Sequence, residues 1–146
     1  MLINKTNIAG LALATSALWS QIAVADTVEV KAVVTKFEPT VVFIKPGDSV
    51  KFTNMAGHDT VSIEGMIPEG AEPWKSPMNE EFSVTLDKEG AYVHKCTPHV
   101  GNGMLGAIVV GEGPPANLDA IKAHPENKGM IGRTVRQLEK ELEAHK

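Results

Sequence analysis

Cysteine is nearly missing from this sequence. Cys96 stands alone among 146 residues, so no disulfide can close within the chain. Basic residues are also scarce: 14 Lys and Arg face 18 Asp and Glu, a formal net charge of −4. With no basic run to offset it, that balance argues against nucleic acid as a partner. The chain contains no internal repeat and no low-complexity segment. It also lacks an apolar stretch of the roughly 20 residues that a membrane span requires. The longest candidate, Ile8 to Trp19, is interrupted by Thr15 and Ser16 and followed by Ser20 and Gln21.

That short run reads instead as part of a leader. Lys5 is the only charge before Asp26, a small and apolar run follows it, and Ala23-Val24-Ala25 is an A-x-A cleavage site. Residues 1–25 are therefore expected to be a cleaved signal peptide, with no membrane anchor remaining. Residues 26–146 would form one domain with a single core. A lone thiol exported to an oxidising compartment needs protection, and metal ligation is one way to provide it.

Alternation dominates the mature region. Val28, Val30, Ala32 and Val34 recur at the period of a half-buried strand. Phe37-Glu38-Pro39 breaks the pattern, and a second β-branched run, Thr40 to Lys45, stops at the turn Pro46-Gly47-Asp48. Further strands are expected at Ser49 to Asn54, Thr60 to Ile63, Phe82 to Leu86, Ala91 to Cys96 and Leu105 to Val110. Gly65 to Pro77, with three prolines and two glycines, reads as a surface loop. About seven to eight short strands joined by turns imply an all-β antiparallel sandwich. From Pro114 onward the character changes to helical. Asn117 can cap a short helix, and Ile131, Val135, Leu138 and Leu142 recur at helical spacing. Residues 114–146 are thus a helical C-terminal extension expected to cover one sheet.

The chemistry concentrates in Cys96-Thr97-Pro98-His99-Val100-Gly101-Asn102-Gly103-Met104. A thiolate, an imidazole and a thioether on one turn form a soft ligand set. Such a set suits copper better than zinc, calcium or magnesium. A second imidazole is lacking. Of the remaining histidines, His124 and His145 fall among charges and are expected in solvent. His58, after Gly57 at the end of a strand, can point back toward Cys96 and is the candidate. His94 lies two residues before Cys96 on the same strand face. It is expected to be buried and hydrogen-bonded rather than a ligand, since one strand rarely turns two residues onto one metal without a bend.

Cys96-x-x-His99-x-x-x-x-Met104, the upstream Gly57-His58 and the Pro46-Gly47-Asp48 turn resemble the blue copper proteins, or cupredoxins. Phe37-Glu38-Pro39, Gly65 to Glu72, Lys95 to His99 and the tail Pro115-Ala116-Asn117-Leu118 follow the same family. The resemblance covers nearly all of the mature region. It implies a Greek-key β-sandwich holding one type 1 copper ion. His58, Cys96 and His99 would form the trigonal plane, with Met104 as the weak axial contact. Around them, Pro98 would stiffen the bend after the cysteine, and Gly101 and Gly103 would let the loop turn again. Asp59 would accept a hydrogen bond from the loop near Thr97.

A closed four-ligand site leaves no place for substrate, so the implied function is single-electron transfer through Cu(I)/Cu(II), not catalysis. The electron would leave by the edge of His99, with Val100, Gly101, Gly103, Pro98 and Met66 as the docking patch. The family's partners are periplasmic redox proteins: c-type cytochromes, copper nitrite reductase and nitrous-oxide reductase, met by a monomer. A ring of lysines often steers such proteins, and Lys36, Lys45, Lys51, Lys75 and Lys95 are candidates here. This chain departs from its relatives in four places. Asp59 replaces the usual asparagine, His94 an apolar residue, Val100 an aromatic and Asn102 a methionine. Three alternatives remain open at this point: a periplasmic copper carrier or storage protein, a Cys96–His99 nucleophile–base pair, and a purely structural β-sandwich, which would leave the free thiol unexplained.

Overall fold

The computed structural model describes residues 24–146. All but the last two residues of the expected leader lie outside the described residues. Eight strands form two four-stranded sheets. One holds β1 (Thr27–Val33), β2 (Lys36–Glu38), β4 (Ser49–Thr53) and β6 (Phe82–Thr85), in the order β2-β1-β4-β6. The other holds β3 (Val41–Ile44), β5 (Val61–Ser62), β7 (Gly90–Lys95) and β8 (Leu105–Val110), in the order β3-β8-β7-β5. Two helices follow, α1 (Leu118–Ala123) and α2 (Gly129–Ala144).

The sheets are mixed rather than antiparallel throughout. β1 runs parallel to β4, and β3 runs parallel to β8. The reason is topological: the chain repeatedly crosses from one sheet to the other instead of turning back beside itself. Phe37-Glu38 also does not break the first strand pattern. The chain turns tightly at Val34–Thr35 and runs back as β2, with Phe37 opposite Ala32 and fully buried.

Two apolar layers result. Between the sheets, Val30, Phe37, Val50, Phe52, Tyr92 and Ile108 pack together. On the outer face of the second sheet, Val93, Leu105, Ala107 and Val109 meet Ile121, Val135 and Leu138 of the helices. β8 is therefore buried at every residue, which explains its unbroken apolar run. The expectation that the tail covers one sheet is met.

Three details differ from the sequence reading. Asn117 makes no side-chain cap on α1. Its amide instead clips onto β7, accepting from Ala91 N–H and donating to Ala91 O, both at 2.8 Å. Gly65 to Pro77 is irregular but not superficial, because it sends Met66 and Trp74 into the interior. Lys75 also makes a bridge to Val61. His145 is exposed yet stacks flat on Phe43 at 3.9 Å, while His124 is half-buried.

Candidate metal centre

β4 ends at Thr53, and the chain then turns through Asn54 (φ 58°) and Gly57 (φ 81°) to deliver His58. A backbone bond from His58 N–H to Met55 O, 2.9 Å, fixes that turn. The opposite wall comes from the connection between β7 and β8. Cys96 is still extended (φ −93°, ψ 120°), and Pro98 then helps start a short 3-10 helix, Thr97–Asn102. Gly103, at φ 84°, reverses the chain in a conformation that an L side chain rarely adopts. Gly101 is not among the left-handed residues and has open space around it, so it is not needed for the turn. The loop closes on itself: Met104 N–H donates to His99 O, and Cys96 N–H to Met104 O.

These two walls bring three donor atoms together. His58 Nδ1 lies 3.1 Å from His99 Nδ1, and Cys96 Sγ lies 3.6 Å and 3.5 Å from the two nitrogens. Among the described residues no other group of three His, Cys, Asp or Glu side chains converges in this way. Met104 is fully buried in the same core cluster as Cys96. A point equidistant from the three atoms lies about 2.0 Å from each, the distance at which imidazole binds a first-row divalent ion.

The electrostatics suit a cation. Burial, then the neighbouring His99, pushes the His58 imidazole below its ordinary pKa, so it offers a free lone pair. Burial raises the Cys96 thiol, while the backbone N–H groups of Asp59 and His99 pull it back down. The buried His58 imidazole and a thiol screened from water lack a positive charge, and a metal ion supplies one. Copper fits this borderline-to-soft set.

Asp59 is almost fully buried, and its Oδ1 accepts from Thr97 N–H at 2.6 Å. The two ligand-bearing segments are thereby tied together. His94 is buried at 1 % exposure among Phe37, Phe52 and Trp74. Its Nδ1 lies 3.3 Å from Thr60 Oγ1, which in turn accepts from Trp74 Nε1–H at 3.2 Å. It is a hydrogen-bonded core residue, outside the three-atom cluster. No local pattern announces this Trp74–Thr60–His94 chain, since its members come from three separate segments.

Met66 does not belong to a docking surface. It is fully buried against Ile63 and Ala91, because the irregular loop folds inward there. Val100 and Gly103 are half-buried, Gly101 and Pro98 exposed. Of the lysines, Lys51 is engaged with Glu81 at 2.9 Å.

Residues 24–111 match the model of the copper binding proteins, plastocyanin/azurin family. The chain therefore belongs to that family, the cupredoxins. Its relatives within the family include pseudoazurins. It is 39 % identical over 135 residues to the pseudoazurin of Methylorubrum extorquens, covering 88 % of this chain and 90 % of that one. It is 44 % identical over 87 residues to that of Paracoccus pantotrophus, 59 % of either chain. The crystal structure of pseudoazurin from Methylobacterium extorquens AM1 superposes with a TM-score of 0.71 at 37 % identity, over 78 % of this chain and 98 % of that one. This is a blue copper electron-transfer protein and not an enzyme.

Proposed function

We propose that His58, Cys96, His99 and Met104 are the residues that would hold the copper. We further propose that electrons pass through the exposed edge of His99 to periplasmic redox proteins. The observation that carries the ligand assignment is the convergence of two imidazole nitrogens and one sulfur at mutual distances of 3.1–3.6 Å. Bound copper supplies the one-electron Cu(I)/Cu(II) couple. The protein's part is to hold the donors still, so that little rearranges when the electron moves. Asp59 holds Thr97, the Cys96–Met104 backbone bond holds the loop, and Gly103 reverses it.

The exit follows from exposure. Cys96 and Met104 are fully buried and His58 nearly so, leaving His99 as the half-buried ligand that reaches toward water. Val100, Gly101, Gly103 and Pro98 surround it on the same loop. A carrier that hands over its metal needs reachable donors. Burial of three of the four proposed donors favours electron transfer over that alternative. The partners we assign are c-type cytochromes and the copper-dependent nitrite and nitrous-oxide reductases, met by a monomer through a small, weak contact. The A-x-A site after a short apolar run supports export to the periplasm.

Copper-loaded protein is expected to be intensely coloured, to bleach on mild reduction and to recover on oxidation. Cys96→Ser should abolish the colour, and Met104→Ala should shift it. A colourless copper-loaded wild type would overturn the proposal. Secreted protein whose first residue is Asp26 would support the leader assignment, and an uncleaved chain would refute it.

A further inference from the structure

Thr60 stands two residues after His58 and is wholly buried, and every polar group it carries is engaged. Its N–H donates to Ser76 Oγ and its carbonyl accepts from Ser76 N–H, both at 2.9 Å. Its hydroxyl oxygen accepts from Trp74 Nε1–H at 3.2 Å and lies 3.3 Å from His94 Nδ1. An indole can only donate, so the hydroxyl proton is left for the imidazole nitrogen. Trp74 is itself held by its backbone, which exchanges two hydrogen bonds with Ser62 at 2.9 and 3.0 Å.

The sheet makes room for this contact. His94 faces Gly106 across the β7–β8 pairing. A Cβ on Gly106 would fall 2.5 Å from His94 Nε2 and 3.0 Å from the carbonyl oxygen of Thr40. Gly106 is not among the left-handed glycines, so the space it leaves, not its backbone freedom, seats the ring.

Position gives the contact a further meaning. β5 pairs with β7 through Val61 opposite Lys95 and Ser62 opposite His94. One more step of that register sets Thr60 opposite Cys96, with Thr60 and His94 diagonal to each other on the same face. β5 is only two residues long, so its ladder is a weak clamp on the segment that delivers His58. Two side-chain bonds reinforce it. Asp59 Oδ1 accepts from Thr97 N–H at 2.6 Å, and Thr60 meets His94. They attach one and two residues from His58, and one and two residues from Cys96.

We infer, resting on the ligand assignment proposed above, that His94 is a positioning residue for the copper site. Through Thr60 it fixes the segment carrying His58 against the strand carrying Cys96. His94 stands outside the donor cluster and acts only by holding its neighbour. Partners of this kind set how firmly metal ligands are aimed.

The test uses the full chain, copper-loaded, read by visible absorption, electron paramagnetic resonance and copper affinity in chelator competition. Urea unfolding of the copper-free form runs beside it. Thr60→Val keeps the shape and loses the hydroxyl, whereas His94→Phe keeps a ring and loses the nitrogen. Each should weaken copper binding about tenfold and shift the sulfur-to-copper bands and the copper hyperfine splitting alike. The double variant should go no further than either single one. Thr60→Ser keeps the hydroxyl, and His94→Asn places an amide oxygen where Nδ1 stood, so both should stay near wild type in spectrum and affinity. Thr60→Val leaves the imidazole packed and supplies the comparison if His94→Phe does not fold. Variants that unfold more readily yet keep the wild-type spectrum and affinity would make His94 a packing residue only and overturn the inference. Additive losses in the double variant, or a His94→Asn protein as altered as His94→Phe, would overturn it too. A colour that survives Cys96→Ser would instead overturn the ligand assignment beneath it.

Discussion

Asp59 shows how much one atom can matter beside a metal. Its Oδ1 ties Thr97 to the His58 segment, as an amide oxygen at that position also could. A carboxylate adds negative charge in a water-poor site a few residues' reach from the sulfur, and negative charge favours Cu(II) over Cu(I). Asp59→Asn keeps the hydrogen bond and removes the charge. It should therefore raise the midpoint potential, by on the order of 50 mV if about 1 kcal/mol of charge interaction is lost. A voltammetric midpoint that does not move would dismiss the charge argument. His94 makes a different residue-scale prediction. Burial holds its pKa down to about 3, against 6.5 in an open chain. Above pH 6.5 neither state binds the proton, and stability is complete. As pH falls from 6.5 toward 3, the unfolded chain gains a proton that the folded one refuses, so stability declines by up to about 1.4 kcal/mol per pH unit. His94→Phe removes that slope. Urea unfolding of copper-free wild type and variant between pH 6.5 and 4 should show wild type losing stability faster. Parallel curves would mean that His94 takes up its proton in the folded state too.

At the scale of elements, legibility follows the range of the interaction that decides each one. Alternating Val28, Val30 and Ala32 announce β1 because the period of a strand is local. The loop Cys96–Met104 announces its chemistry because three donors lie within nine residues. His58 could be placed only through chemistry, as the group that loop lacked, since it lies 38 residues from Cys96 in the chain. β2 was hidden by its brevity and by Pro39. What makes Lys36–Glu38 a strand is pairing with Lys31–Val33 and burial of Phe37, which no local pattern of three residues displays. Met66 and Trp74 escape a local pattern for the opposite reason: glycine and proline mark irregular backbone correctly but say nothing about which way its side chains face. Asn117 belongs here too. Its position before α1 suggested a cap, yet the amide pairs with both backbone groups of Ala91 and extends β7 by a side-chain strand. Asn117→Ala leaves a buried N–H and C=O without partners. It should cost about 1–3 kcal/mol in urea unfolding, whereas loss of an exposed cap would cost nearer 1 kcal/mol. Asn117→Asp should recover only part of the loss, because a carboxylate can accept from Ala91 N–H but cannot donate to its carbonyl.

For the whole molecule, the metal and the fold are separable in one direction. Both apolar layers are complete without any ion: one lies between the sheets, the other between the second sheet and the helices. Copper-free protein should therefore be folded, with its native circular dichroism. The proposed ligands nonetheless bridge the architecture. His58 follows β4 of the first sheet, whereas Cys96, His99 and Met104 close the β7–β8 connection of the second. An ion held by all four clips one sheet's exit to the other's loop, and it binds the folded chain far better than an unfolded one whose donors are scattered. Linkage then sets the gain: a free ion at about a thousand times its dissociation constant adds about 4 kcal/mol. For a chain of this length that corresponds to a melting temperature on the order of 10 °C higher. Calorimetry of loaded and stripped samples should show this difference. It should shrink in His58→Gly, the one ligand variant that unclips the first sheet while leaving the β7–β8 loop whole. If stripping copper left the melting temperature unchanged, or if His58→Gly retained the full increment, the bridge would be absent. The ion would then be held by the loop alone.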